Sequence, residues 1–129
     1  MTNVRRVLVV DDEAMLRSLV SRAFRERGYE VVEASDGVAA LEATHALSRP
    51  FDLVITDSRM PGLDGPHLVE RLREAYPEMQ IIHLSGSQGS RGLSAGMPSD
   101  IPTFLKPFNL GELVAAAEQL MGEGPARGV

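Results

Sequence analysis

The feature that most restricts how this chain can fold is an apolar run, residues 53–56, that ends directly at the carboxylate of Asp57. Met60-Pro61-Gly62 follows, and its proline and glycine prevent the chain from continuing as regular structure. The pattern predicts a buried strand with Asp57 at its tip. Because an ionised carboxylate is costly to remove from water, Asp57 needs a counter-ion, hydrogen bonds or a chemical role at that position.

Similar short apolar runs predict further strands over residues 7–10, 29–34, 80–84 and 101–105. Helix-compatible segments follow the first, second, third and fifth runs. The first of these has apolar residues at helical spacing, which predicts one buried stripe: Leu16, Leu19, Val20, Ala23 and Phe24. Alternating strands and helices predict an α/β fold, a doubly wound parallel sheet with helices on both faces.

In such sheets the ligand-binding and reactive residues lie at the carboxyl ends of the strands. For the flavodoxin-like strand order 2-1-3-4-5, the topological switch point lies between the first and third strands. Asp11 and Asp12 end the first predicted strand, and Asp57 ends the third. Three carboxylates in one crevice repel one another. A divalent hard cation would relieve that repulsion, and all-oxygen ligation favours Mg²⁺, with Mn²⁺ as a substitute.

The fourth and fifth predicted strands end in groups that suit an incoming oxyanion. Ser85 supplies a hydroxyl donor, Gly86 leaves room beside it, and Lys106 supplies positive charge. Lys106 is the one lysine among 13 basic residues, and a compact ammonium does not substitute freely for a guanidinium where an oxyanion approaches closely. With a carboxylate nucleophile and a metal ion, these groups predict an acceptor site for a phosphoryl group.

Composition narrows the class of protein further. A length of 129 residues predicts one domain over residues 1–121 and a flexible, glycine-rich tail over 122–129. The absence of cysteine excludes disulfides, thiolate metal sites and cysteine nucleophiles. A net charge of −5 argues against nucleic-acid binding through a basic face. No apolar stretch approaches the roughly 20 residues of a membrane span, and the N-terminus does not resemble a signal peptide, so the expected location is cytoplasmic.

Because strands and helices alternate along the chain, a fourth helix is expected between Ser87 and Asp100. The glycines, proline and serines of this segment disfavour a helix. Each interior glycine costs a helix roughly 0.5–1 kcal/mol. We therefore expect this fourth helix to be weak, disordered or absent.

Four segments together resemble the response-regulator receiver domain of two-component signalling: VLVVDDE, DLVITDSRMPGLDG, IIHLSG and FLKPF. They occur in that family's order and spacing, and the match extends from Val4 to Met121. The resemblance implies a flavodoxin-like (βα)5 fold and a phosphorylation switch. It implies that a sensor histidine kinase or a histidine phosphotransfer protein supplies the phosphoryl group, and that a downstream target protein responds. It implies neither direct DNA binding nor membrane association, and no catalysis beyond the domain's own phosphorylation and dephosphorylation.

Carried over to this chain, the resemblance assigns a role to the residues at the strand ends. Asp57 is implied to be the phosphoacceptor. The implied metal ligands are Asp11, which acts through water, Asp12, Asp57 and the backbone carbonyl of Arg59. The implied phosphoryl contacts are Ser85, Gly86 and Lys106. The Lys106–Pro107 peptide bond is implied to be cis, and partner docking is implied near Ala14 and Met15.

One position departs from the family pattern. Three residues before the lysine the family usually has Tyr or Phe, whose ring orientation reports movement of the hydroxyl residue, whereas here Thr103 is followed by Phe104. We therefore assign the switch to Ser85, Thr103 and Phe104. We hypothesise that output depends on ordering of residues 87–96 rather than on rotation of an aromatic ring.

The main alternative is a metal-dependent phosphatase with an aspartyl nucleophile on a similar sheet. Such enzymes usually carry a second acid two residues after the nucleophile, where this chain has Arg59, and no segment here suits a cap domain. A nucleotide-binding loop over residues 86–92 is disfavoured because it lacks the lysine of a P-loop. The three histidines, His45, His67 and His83, are expected in structural or solvent-exposed roles. Whether the receiver stands alone or belongs to a hybrid kinase stays open.

Overall fold

The five strands form one parallel sheet, in which the strands, numbered along the chain, lie in the order 2-1-3-4-5, as predicted. The computed structural model describes residues 4–46, 50–86 and 96–122. Within these residues there are five strands and four helices. In chain order they are β1 (Arg6–Val10), α1 (Ala14–Glu26), β2 (Glu30–Ala34), α2 (Gly37–Ala46), β3 (Leu53–Asp57), α3 (Gly65–Ala75), β4 (Gln80–Ser85), β5 (Thr103–Leu105) and α4 (Leu110–Met121).

The central strand β3 is buried at every position, because helices cover both faces of the sheet. On one face Val54 packs into a core layer with Leu68 and Leu72 of α3. On the other face Ile55 packs into a second layer with Phe24 of α1 and residues of α4. Runs of β-branched residues without polar alternation produce such doubly covered strands, so the fold follows directly from the apolar runs of the sequence.

The register of the parallel strands determines which side chains meet at the carboxyl edge of the sheet. Val10 of β1 lies opposite Thr56 of β3, and Asp57 lies opposite Leu84 of β4. On the other side of β4, Ser85 lies opposite Leu105 of β5. The last residues of four strands therefore reach one edge together, with the polar residues of each strand end beside one another.

Helix packing differs from the sequence prediction at Leu19. Val20 and Phe24 are fully buried, and Leu16 and Ala23 are half-buried, but the Leu19 side chain is 50% exposed. The prediction that Leu19 belongs to the buried stripe is wrong. The sheet covers a narrower arc of α1 than the apolar spacing indicated, and Leu19 lies outside that arc.

The weak fourth helix predicted between Ser87 and Asp100 cannot be compared in full, since residues 87–95 lie outside the described residues. Residues 96–100, which are described, form turns and bends and contain no helix. Most of the predicted C-terminal tail, residues 123–129, also lies outside the described part of the chain. In the parts that are described, no helix has the length and apolar character needed to span a membrane.

A close backbone contact fixes where α3 begins relative to Asp57. The N–H of Gly65 donates to the carbonyl of Ser58 at 2.9 Å. The side chain of Asp64 caps the helix by accepting from the N–H of His67 at 3.0 Å. A Cβ at Gly65 would lie 2.3 Å from the backbone oxygen of Asp57. The loop after β3 therefore closes only with glycine at this position.

Replacement of Gly65 by alanine should lower the free energy of unfolding by about 1–3 kcal/mol, because the new methyl group meets backbone that cannot rotate away. Urea denaturation measures the change. The matched control is Gly86→Ala, since a Cβ at Gly86 meets no atom of the described residues within 4 Å. Equal stability of Gly65→Ala and wild type would contradict the close contact.

Candidate functional site

Three carboxylates meet at the carboxyl edge of the sheet. Asp11 and Asp12 follow β1, and Asp57 is the last residue of β3. One carboxylate oxygen from each lies within 4.8 Å of the others. Asp11 is 1% exposed and Asp57 is 8% exposed, whereas Asp12 is open to solvent. Two of the three acids are thus buried beside each other with the third at the surface.

Lys106, which follows β5, provides positive charge to this group. Its Nζ lies 3.2 Å from Oδ2 of Asp11 and 3.4 Å from Oδ1 of Asp57. Burial of the ammonium lowers the pKa of Lys106, but attraction to Asp57 and then to Asp11 outweighs burial, so its pKa lies above the ordinary value. The Lys106–Pro107 peptide bond is cis, as the resemblance implied.

One lysine does not compensate the acids completely. Burial raises the pKa of Asp57, and the neighbouring charge of Asp11 raises it further. Lys106 and the N–H of Ser58 act in the opposite direction without cancelling these effects. The net shift is upward, which means that the folded protein disfavours the ionised form of Asp57. The pocket therefore has the electrostatics of a cation site.

Local hydrogen bonds hold the two buried acids in place. Oδ1 of Asp11 accepts from the N–H of Glu13 at 2.8 Å, and the Asp11 carbonyl accepts from Nη1 of Arg17 at 2.8 Å. Oδ1 of Asp57 accepts from the N–H of Ser58 at 2.7 Å. Within the described residues, the hydrogen bond and the ion pair of the Asp57 carboxylate both involve Oδ1, which leaves Oδ2 for a ligand.

The end of β4 contributes a hydroxyl that has no partner. Ser85 Oγ is buried and forms no hydrogen bond with any described residue. The Ser85 carbonyl accepts from the N–H of Lys106 at 2.7 Å, which joins the ends of β4 and β5. Beside it, no atom of the described residues lies within 4 Å of the place where a side chain at Gly86 would begin. A buried donor without a partner costs free energy unless a ligand satisfies it, so Ser85 is placed to meet an oxyanion.

The donor set fits a divalent hard cation. Carboxylate oxygens are the ligands that Mg²⁺ and Mn²⁺ prefer, and the three acids present them close together. Arg59 is exposed in the loop after β3. Together with Asp12, Ser58 and Asp64, that loop lines an open depression of about 340 Å³. Of the residues that could hold a metal ion, Asp12 and Arg59 therefore border this solvent-accessible depression.

A family model for the response regulator receiver domain matches residues 7–118. The chain belongs to this family. Receiver domains are signalling domains of two-component systems and interact with histidine kinases or phosphotransfer proteins. The assignment confirms the resemblance found in the sequence, and the comparisons give the phosphatase alternative no support.

Individual relatives agree with this assignment. The chain is 38% identical over 117 residues to the sensor kinase CckA of Brucella abortus, covering 89% of this chain and 12% of that protein. It is 29% identical over 119 residues to the response regulator receiver protein CpdR of the same organism, covering 92% of this chain and 98% of CpdR. It also matches 37% of the length of the transcriptional activator PfeR of Pseudomonas aeruginosa. The receiver domain thus spans a small part of some relatives and nearly all of another.

Solved structures show the same fold. The receiver domain of the hybrid histidine kinase CckA is 32% identical, with a TM-score of 0.75, over 90% of this chain and 98% of that one. A receiver protein from Sinorhizobium medicae is 28% identical, with a TM-score of 0.82, over 92% of this chain and 95% of that one.

The three predicted switch residues lie on two faces of the sheet. Thr103 and Phe104 are neighbours on β5 and point to opposite faces of the sheet. Phe104 packs edge-on against Phe108, with ring centroids 6.4 Å apart, and belongs to the core layer beside α4. Thr103 instead contacts His83. Ser85 is two residues after His83 on β4, so it lies on the same face as His83 and Thr103, and Phe104 lies on the opposite face.

Sequence reasoning missed the part that His83 plays. It is fully buried in β4, and its ring nitrogens contact Ser58 Oγ and Thr103 Oγ1. Burial, and then the charge of Lys106, lower the pKa of His83 to about 4, so the ring is neutral. His45 and His67 are exposed, as expected. The sequence feature that could have predicted these contacts is a histidine inside an apolar strand, since a buried imidazole needs hydrogen-bond partners.

Replacement of Lys106 by methionine should destabilise the protein by about 1–3 kcal/mol at about pH 7, because Asp11 and Asp57 lose their neutralising charge while they stay buried. Without Lys106 the folded-state pKa of Asp57 rises further above its unfolded value. Ionisation then opposes folding, so the loss is greatest above that pKa and shrinks as the pH falls.

Urea denaturation at about pH 7 and about pH 5 measures this dependence. A matched double variant, Lys106→Met with Asp57→Asn, should recover part of the loss at the higher pH. A destabilisation that grows towards acid pH would contradict the assigned electrostatics.

Proposed function

We propose that Asp57 accepts a phosphoryl group from a phosphohistidine on a sensor histidine kinase or a histidine phosphotransfer protein. The observation that carries the proposal is the clustering of Asp11, Asp12, Asp57 and Lys106 at one edge of the sheet. A carboxylate oxygen of Asp57 bonds to phosphorus as the bond between phosphorus and the imidazole nitrogen breaks. The imidazole leaves with the electron pair, and an acyl phosphate forms on Asp57.

The other strand ends supply the environment for this step. The Lys106 ammonium neutralises the added negative charge. The Ser85 hydroxyl, which has no hydrogen-bond partner in the described part of the chain, donates to a phosphoryl oxygen beside Gly86. Phosphoryl transfer depends mainly on positioning and charge neutralisation. Phosphorylation of Asp57 therefore does not require a general acid or base at the site. The catalysis of the domain is limited to its own phosphorylation and dephosphorylation.

A metal ion is part of the proposal. Asp11, Asp12, Asp57 and the backbone carbonyl of Arg59 would hold Mg²⁺, or Mn²⁺ in its place. The ion would supply positive charge to the phosphoryl oxygens and relieve repulsion among the acids. The upward shift of the Asp57 pKa supports this requirement, because the fold alone leaves the site short of positive charge.

The surface beside the acids is the proposed docking site for the phosphodonor. Met15 is 76% exposed and Leu19 is 50% exposed on α1, which begins at Ala14 directly after the metal-binding acids. Exposed apolar side chains next to a reactive group suit an apolar partner surface. The exposure of Leu19, which the sequence placed in the core, enlarges this surface.

We assign residues 1–121 to the receiver domain, consistent with a family match over residues 7–118. The proposed location is cytoplasmic, where histidine kinases present their phosphohistidine. The output is proposed to be a protein target rather than DNA, in keeping with the net charge of −5.

Incubation with a small phosphodonor and Mg²⁺ should give an adduct that phosphate-affinity electrophoresis resolves. Asp57→Asn should abolish the adduct because the attacking oxygen is lost, and a chelator should abolish it in the wild type. Ser85→Ala should slow its formation by about tenfold or more, because one phosphoryl hydrogen bond is removed.

The matched control for this experiment is Asp100→Asn, since Asp100 is an exposed aspartate paired with Arg73 and remote from the acids. It should form the adduct at the wild-type rate. An adduct that persists in Asp57→Asn, or that needs no divalent cation, would overturn the proposal. Turnover of many equivalents of a phosphate ester would instead favour the phosphatase.

Met15→Glu should slow phosphotransfer from a phosphorylated histidine kinase at least about tenfold, because a charge replaces an exposed apolar contact at the docking surface. Phosphorylation by a small phosphodonor, which needs no docking, should keep its rate. Val38→Glu is the matched control, since Val38 is 52% exposed on α2, away from α1. Equal transfer rates for Met15→Glu and wild type would contradict docking at α1.

A further inference from the structure

A chain of polar side chains crosses the sheet interior beside Asp57. Ser58 Oγ lies 2.5 Å from Nε2 of His83, and Nδ1 of His83 lies 3.2 Å from Oγ1 of Thr103. Ser58 follows β3, His83 lies within β4, and Thr103 begins β5. His83 is 0% exposed. Three successive strands are thus joined by side-chain hydrogen bonds in addition to their backbone pairing.

The partners of each group determine the direction of these hydrogen bonds. Thr103 Oγ1 donates to the carbonyl of Ile101 at 3.4 Å, so it accepts from Nδ1–H of His83. The neutral ring then has an unprotonated Nε2, which accepts from the hydroxyl of Ser58. The pKa of about 4 for His83 is consistent with a neutral ring. In this assignment the hydroxyls of Ser58 and Thr103 and both ring nitrogens of His83 act as donors or acceptors without conflict.

Both ends of this chain lead to the same atom of Asp57. At one end, the N–H of Ser58 donates to Oδ1 of Asp57 at 2.7 Å. At the other, Thr103 lies on the short strand β5 that leads to Lys106, whose Nζ lies 3.4 Å from the same Oδ1. His83 is therefore linked to both groups that contact Oδ1, although it does not contact Asp57 itself.

We propose that His83 is a positioning residue that, through Ser58 and Thr103, sets the placement of the Asp57 carboxylate and couples its phosphorylation to strand β5. The inference rests on the proposed role of Asp57 as phosphoacceptor. Because Thr103 is exposed at the edge of the sheet, a change at Asp57 reaches the surface through this chain. The surface residue is a threonine, so the coupling uses hydrogen bonds rather than the rotation of an aromatic ring.

The physical reason for the coupling is that a buried imidazole cannot exchange a lost partner for water. If Ser58 moves when Asp57 gains a phosphoryl group, Nε2 of His83 must follow it or remain unpartnered, which is costly. Movement of the ring in turn changes the hydrogen bond to Thr103. A buried polar network of this kind transmits displacement more effectively than apolar contacts, which have no fixed partner or direction.

The first test is nitrogen NMR of the His83 ring in the full chain. The expected spectrum has a protonated Nδ1 and an unprotonated Nε2. Both signals should shift when Mg²⁺ and fluoroberyllate, a phosphoryl mimic, are added. In Ser58→Ala the Nε2 response should be lost. The exposed rings of His45 and His67 serve as internal references. A purely structural role for His83 predicts no response of its ring to the mimic.

The second test measures the rate of Asp57 phosphorylation by a small phosphodonor in Ser58→Ala, Thr103→Val and the double variant. Each single change should slow the reaction about threefold to tenfold, and the double variant should be no slower than the worse single variant, because the residues act as one unit. Ser21→Ala and Thr44→Val are the matched controls. They remove a buried hydroxyl on α1 and on α2 respectively, and should keep the wild-type rate.

The outcomes separate this inference from the proposed function. Absence of a wild-type adduct at Asp57 would overturn the proposed function and with it the coupling. The coupling alone would be overturned if the wild type formed a normal adduct and all three variants reacted at the wild-type rate. It would also be overturned if the wild type formed a normal adduct but the His83 ring signals did not shift with the mimic. Additive losses in the double variant would show two independent contacts and would also overturn it.

Discussion

The structure depends on the burial of two like charges side by side. Asp11 and Asp57 are buried at the ends of adjacent strands, and a single lysine compensates them only in part. Several local features follow from that constraint. The backbone donates to both carboxylates, and glycine at position 65 allows the loop after β3 to close over the strand tip. Such a site costs stability and is retained because ligands can relieve it.

The strands and the residues that end them could be predicted from the sequence because both depend on local signals. Uninterrupted β-branched runs predict doubly covered strands, and the boundaries differ from those observed by two residues at most. The convergence of Asp11, Asp57 and Lys106 followed from topology, since parallel strands bring their carboxyl ends to one edge. The roles of the remaining site residues came from the resemblance to receiver domains.

What could not be predicted depends on contacts between strands rather than within them. The partners of His83 lie 25 and 20 residues away in the sequence, and only the register of β3, β4 and β5 brings them together. The exposure of Leu19 likewise depends on how far the sheet extends beneath α1, which apolar spacing does not specify. Periodicity identifies which residues are able to pack, and the tertiary arrangement decides which of them do.

The placement of the acids and the lysine at strand ends has an evolutionary consequence. The reactive groups are supplied by the sheet and the turns that follow it, whereas the solvent-facing sides of the helices contribute none of them. Substitutions on those outer faces can therefore accumulate without altering the chemistry at Asp57. With partner docking on α1 as proposed, a duplicated copy of such a gene could acquire a new signalling partner through a few changes on that helix, while the phosphorylation chemistry stays the same.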